Sequence, residues 1–543
     1  MNVKHFIYCV IASSAVLALL VSCADSDDDA TGFPGYENDS ASIDLDIDSD
    51  ADGDADADSD GDSDGDTDDG YPPEQEEAPN YMSPQGAGRY VFIADETHDA
   101  VVIVDSDTLV IDVVEVGSRP THLVPLSDDR GDVAIMNLDS DEVTLLSVDD
   151  SGKSVMIDLP VRPDTNAIVP SPDGRFIVAF HDPRFTAESG IPTTDQEISV
   201  IRTGAGDEVA VDMTVGMHPW RVLYDKKVTR AFIINEEGIN IINLDELDNP
   251  GIPPIISPFE GGTYDSTTAD IEITPDGSLI LARETDSTDL VTARLDAEDV
   301  RTYTMEATPT DLDISPDGSF GVLALRALGQ VALFDLPLPT DPEDDPFTYI
   351  ELEDKVAGVA TLTPDGDHIL LHTTTAGDNE DKKRLTILSR DGGDWQVHST
   401  VLERQIRALA VGVNSKTAVV VHQKISTGAN QQPYSYSLIS IPSLQAKFQQ
   451  IPVEPGQLLL TPDGHYGYLL LEEAKRTDVI NLQTFIVDSL VLGSPPTAAG
   501  YALETDKVFI AQDHPAGRMT FMGVHDSSVK TVTGYNLNDD IEY

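Results

Sequence analysis

Four of the 12 histidines, His181, His372, His422 and His514, stand at or just beyond the ends of apolar β-forming runs such as FIVAF and TAVVV. In other runs the equivalent place is taken by Asp95, Asn137, Asn235, Arg283, Arg326 and Glu472. Neutral imidazole and carboxylate bind divalent cations and can polarise a carbonyl, so such a set is a candidate metal or hydrolytic centre. Proline-led segments add Arg119, His122, His218 and Trp220, the last two within GMHPWRVL. Trp220 is either a ligand-stacking ring or a core aromatic. The ligand-binding candidates are therefore His122, His181, His218, Trp220, Arg283, Arg326, His372, His422, Glu472 and His514. The plainer reading is that strand ends meet water and carry polar residues for that reason.

No catalytic signature accompanies them. GxSxG, the P-loop, HExxH and CxxC are all absent. Ser-His-Asp sets can be drawn at will from this composition, so no catalytic residue is assigned. A second possible cation site lies near the N-terminus, where every second residue from Asp44 to Asp68 is Asp. DSDADG (Asp48, Asp50, Asp52) and DADSDG (Asp56, Asp58, Asp60) match the first half of a calcium-binding EF-hand loop, with Gly at the sixth position. Ser59 and Thr67 stand where that loop needs its bidentate acid. The segment reads as a disordered, self-repelling spacer, with calcium ordering as the alternative.

The elements that must position the candidate residues follow from a repeated turn. SPDG or TPDG precedes a β-forming run at Ser171, Thr274, Ser315, Thr363 and Thr461. Proline presets the second turn position, Asp suits the third and Gly accepts the positive φ that closes a hairpin. The turn Asp residues are spaced 103, 41, 48 and 98 apart, so two wide gaps should each hide one further turn. YDKK around Lys226 and VNSK around Ser415 fit there, and SPQG at Ser83, SDDR at Ser127 and ETDK at Glu504 extend the series to ten. Four short strands per unit at a period near 45 residues is the signature of a β-propeller. The expected fold is all-β, with about ten four-stranded antiparallel blades behind a disordered acidic spacer. The C-terminal end near Ile541 is expected to help close the first blade.

RYVFIADETHDAVVIVDSDTLVIDVVEVGSRPTHLVPLSDD resembles the YVTN-type propeller repeat of the lactonase-like superfamily, and similar units run from Tyr90 to about Gly534. The resemblance implies a ring with ligands at its central opening. Members are lactonase-type hydrolases or binders of proteins, sugars or peptidoglycan-related partners. It implies either a non-enzymatic binding scaffold, preferred here, or a lactonase-type hydrolase with a divalent metal in the opening. Specificity is expected in the longest loops, Pro183 to Glu197, Glu246 to Asp265, Pro337 to Pro346 and Lys424 to Pro433.

The N-terminus reads as an export signal: Lys4, an apolar run from Phe6 to Val21, then Leu20-Val21-Ser22-Cys23. The last four residues resemble a bacterial lipobox, which implies lipidation of Cys23 and a protein anchored in the cell envelope, at the outer membrane or cell surface. Cys9 and Cys23 are the only cysteines, so residues 24 onward offer no disulfide and no thiolate metal site. The expected organisation is signal peptide over 1–22, spacer over 23–80 and propeller over 81–543. Residues 81–543 carry 75 acids against 31 bases. Such a surface repels phosphate backbones, which argues against nucleic acid and anionic lipid and favours divalent cations and basic proteins; a protein or glycan partner is what the propeller resemblance implies.

Overall fold

The structure is a computed structural model. It describes residues 83–535, apart from 127–130, 150, 186–195, 205, 249, 259–268, 296–298, 340–344, 353–356, 392–393 and 427–431, together with Ala18–Leu19. Cys23, the Asp-rich segment and Ile541 lie outside the described residues.

Ten antiparallel sheets follow one another along the chain, each with four strands from consecutive residues, and in the ninth the two-residue strand Ala18–Leu19 pairs with Leu458–Leu460 as a fifth. Blade 1 comprises Gln85–Ala87, Tyr90–Asp95, Ala100–Asp105 and Ile111–Glu115. Blade 10 comprises Pro496–Ala502, Lys507–Gln512, Arg518–Gly523 and Val529–Thr533. The first strand of each blade is innermost and lies against the first strands of neighbouring blades. This is a ten-bladed β-propeller.

Both faces of a blade are covered by other blades, so its middle strands are apolar at nearly every position. Alternation then decides which neighbour each side chain meets. In blade 1, Val91 and Ile93 pack toward blade 10, whereas Phe92 and Ala94 pack toward blade 2. Ten apolar clusters occupy the interfaces, one to each pair of neighbours. The tenth joins Val91, Val102 and Val104 to Phe509, Met519 and Phe521, so the ring is closed. Polar contacts reinforce that junction. Ser106 and Thr505 share a hydroxyl hydrogen bond of 2.6 Å, and the Lys507 ammonium donates to the Ser106 carbonyl at 2.9 Å.

The hairpin reading holds, with one shift of boundary. Gly174, Gly277, Gly318, Gly366 and Gly464 take φ between +67° and +73°. In the disguised turns Val228, Ser415 and Asp506 occupy the same place at +53°, +57° and +53°. The proline-led segment, which along the sequence reads as the fourth strand of a unit leading into the next turn, opens a blade instead, because it is bonded to the strand after its turn. At the N-terminus the first turn is Gly88-Arg89, since Gln85–Ala87 is already the inner strand of blade 1. The four described strands of blade 1 thus all come from residues 85–115. SDDR falls outside the described residues.

The antiparallel order places hairpin turns and third-to-fourth-strand loops on one side of the ring. Loops after each second strand and connections between blades lie on the other. The chain leaves and re-enters the blades on this second side between Phe180 and Glu197 and between His422 and Tyr434, whereas Pro337–Pro339 follow a third strand on the turn side. Among the described residues no helix is long and apolar enough to cross a membrane.

Candidate functional site

Most of the strand-end residues are buried and tied into the blades. Asn137 donates through Nδ2 to Thr144 Oγ1 (2.8 Å), and Thr144 donates to Asp158 (2.7 Å) on the outer strand. Asn235 Nδ2 donates to Asn240 Oδ1 at 2.8 Å, and His422 Nε2 lies 2.7 Å from Ser437 Oγ. In blade 10 Gln512 takes this role, donating to Thr520 at 2.7 Å. A polar residue in the third strand faces a polar residue in the fourth at Thr144/Asp158, Ser199/Asp212, Thr386/Ser399, Asp478/Ser489 and Thr520/Thr531. These pairs satisfy buried donors and acceptors that would otherwise cost about 1–3 kcal/mol each. The sequence signal was a polar residue within otherwise apolar third strands, such as Thr144 in VTLLSV and Ser199 in EISVIR.

The remaining candidates are dispersed. His181, 4% exposed, contacts the Asp164 carbonyl through Nδ1 at 2.7 Å. Arg326 is buried and donates to Thr375 Oγ1 at 3.0 Å, and His372 is buried at the end of its strand. Trp220 is 2% exposed and packs with Phe232, Ile239 and Ile271 between blades 4 and 5, with the Arg184 guanidinium 5.8 Å from its ring centre. It is a core aromatic. His122 lies beside Thr121 Oγ1 at 3.0 Å, and burial pushes its imidazole down to about 4. His218 is 2.8 Å from Glu236 and Arg119 is 3.1 Å from Asp139, both on the second-strand-loop side. Glu472 is exposed, and His514 accepts the Ala516 N–H at 3.1 Å within its own turn. The fold brings no three of these residues to one point. Among the described residues, no group of three or more His, Cys, Asp or Glu side chains is placed to hold a metal ion.

The innermost layer of blades 4 to 7 carries a cluster that the sequence analysis did not single out. Arg221 of blade 4 reaches into blade 5, donating to the Ile271 carbonyl (2.6 Å) and to Glu272 (2.9 Å). Arg283 donates to Asp270 (3.1 Å) and to the Pro309 carbonyl (3.1 Å). Asp311 of blade 6 accepts the Ala360 N–H of blade 7 at 2.6 Å. Burial, reinforced by the Asp270 carboxylate and opposed by the Arg283 guanidinium, pushes the Asp311 carboxyl up to about 7. Burial also raises Glu272, against the pull of Arg221. The alternation of acid and apolar residues in ADIEI and DLDI was the available signal, since Ile271 and Leu312 fill the seams while the acids point the other way. A shallow concavity opens beside blade 5, lined by Thr292, Arg294, Arg301, Tyr303 and the Pro337-Leu338-Pro339 segment. Arg301 there donates to the Pro339 carbonyl at 2.9 Å.

Comparison with known proteins returns solved structures only. No family model matches the chain, and no curated protein matches it. Hydrazine synthase of Kuenenia stuttgartiensis is 13% identical, with a TM-score of 0.33, over 58% of this chain and 95% of that one. The dihydro-heme d1 dehydrogenase NirN is 12% identical, with a TM-score of 0.43, over 75% and 74%. A eukaryotic initiation factor is 11% identical, with a TM-score of 0.45, over 74% and 96%.

Proposed function

We propose that this chain is a YVTN-type envelope lipoprotein whose propeller is a binding scaffold for a protein or glycan. Cys23 carries the lipid, and the Asp-rich segment holds the ring away from the membrane surface. The observation that supports the scaffold reading is how the strand-end polar residues are used. Asn137, Asn235, Arg283 and His422 bond within and between blades. Recognition is left to loops mounted on a rigid frame, where binding residues are generally found. The strand ends at Phe180, Glu197, His422 and Tyr434, which carry the 181–196 and 423–433 connections, share one side of the ring, and these connections are the proposed contact surface.

The test uses the full-length protein with Cys23→Ala. The variant should move from the membrane to the soluble fraction, and persistence with membranes defeats the anchor reading. As bait against envelope extract it should retain a discrete protein or glycan. Replacing 424–433 by a short Gly-Ser linker should abolish that retention, and retention unaffected by the loop defeats the scaffold reading. A second reading, a lactonase-type hydrolase working at the central opening, is favoured by one observation: the Asp311 carboxyl sits near the pKa of an acid–base catalyst. Lactone hydrolysis abolished by Asp311→Asn would establish it.

A further inference from the structure

Blade 9 carries a strand that the other blades lack. Ala18–Leu19 pairs antiparallel with its first strand, Leu458–Leu460, placing Leu19 opposite Leu458 and Ala18 opposite Leu459. That first strand is already the innermost of its blade, so the added strand lies in the central opening. Both added residues belong to the apolar run from Phe6 to Val21.

Backbone alternation decides what blade 9 offers to the opening. The Gln457 carbonyl accepts from the Leu470 N–H, and the Thr461 N–H donates to the Tyr466 carbonyl, both at 2.9 Å, so these residues face the second strand. The N–H and C=O groups of Leu458 and Leu460 are thereby turned to the inner edge. Leu19 meets Leu458 as a hydrogen-bonded pair, and Ala18 meets Leu459 as a non-hydrogen-bonded one. Side chains leave that edge clear. Leu458 and Leu460 fill the seam with blade 8, Leu459 fills the seam with blade 10, and all three are fully buried.

The other inner edges are guarded, since proline and charge discourage a further strand from pairing. The first strands of blades 2, 3 and 10 contain proline. Those of blades 4, 5, 6 and 8 contain Arg, Asp or Glu, and those of blades 1 and 7 contain Gln85 and Thr361. Among the ten, Leu458–Leu460 alone is apolar throughout and free of proline.

The geometry points to a strand-acceptor site in the central opening: the inner edge of Leu458–Leu460 takes one extended apolar peptide segment as an antiparallel fifth strand. Main-chain hydrogen bonds supply the recognition, as in other strand additions to a sheet edge. Ala18–Leu19 occupies the site in the full chain, and the removal of residues 1–22 that the lipobox reading implies would vacate it. The site lies inside the ring and does not rest on the loop surface proposed above.

Hydrogen exchange on the full-length protein tests this directly. Leu19→Pro removes the N–H that pairs with Leu458. The Leu458 amide should exchange at least about tenfold faster in that variant, the effect of losing a backbone hydrogen bond, whereas the Leu459 amide, which faces the second strand, should not change. A peptide with the sequence AVLALLV, residues 15–21, added to the Leu19→Pro chain should restore protection at Leu458. The same peptide carrying an N-methyl group at its Leu19 position should bind about tenfold more weakly. Equal exchange at Leu458 in wild type and Leu19→Pro overturns the site. So does a peptide that fails to restore protection, or one that binds as well when methylated, which is apolar adhesion and not strand addition.

Discussion

A β-carbon on Gly318 would stand 2.9 Å from Cδ of Pro275, the proline in the hairpin turn of the preceding blade. Turns therefore pack on turns around the ring, and the glycine serves both its own positive φ of +72° and a contact between blades. Gly318→Val should lower unfolding stability by roughly 1–3 kcal/mol. Gly366 has a similar φ of +73°, but its β-carbon would meet only Pro316 Cδ, at 3.7 Å. In urea unfolding, Gly366→Ala should cost less than Gly318→Ala, and equal losses would refute the packing argument.

Asp311 should govern a neutral limb of the stability profile. Its carboxyl is pushed from 3.8 to about 7 by folding, so the folded state holds the proton more tightly. The associated stability is complete below the unfolded value and is lost as pH rises through about 7. Asp311→Asn keeps an acceptor for Ala360 and removes the charge. Its melting temperature relative to wild type should climb from about pH 5 to about pH 8. A constant difference across that window would contradict the assignment.

His422 should shape the acid limb in the opposite sense. Burial is the main cause that pushes its imidazole from 6.5 to about 4. Stability from this group is present above about 6.5 and is lost as pH falls toward 4. His422→Gln offers Ser437 a polar partner that does not titrate, and should flatten the decline between those values. An unchanged acid limb would assign the decline to other groups.

Trp220→Ala should destabilise the ring by about 3–5 kcal/mol, the usual cost of emptying a large aromatic site in a core. Thermal unfolding measures this directly. A melting temperature equal to wild type would return Trp220 to the ligand set.

The fold was readable because repetition amplifies weak local signals. One SPDG turn is ambiguous, but turn positions at intervals near 45 residues located Val228 and Ser415 turns that lack both proline and glycine. Blade boundaries were less legible, since a proline-led strand reads alike whether it ends one unit or opens the next, and only its bonding partner decides. Strand-end residues were located but not their roles. Sequence position put His422 at the end of its strand, but whether its imidazole meets solvent or Ser437 depends on the third strand beside it.

Because each blade is cut from one continuous stretch, the junction between blades 10 and 1 is built like the other nine. The termini of the ring are thus an accident of where the chain was opened, and not part of its architecture. A circular permutant joined from 535 to 83 and reopened between blades 5 and 6 would preserve every seam. By the same reasoning, a tandem duplication of a single blade-length segment adds one interface of a kind already present, which is the natural route to a ring of this size.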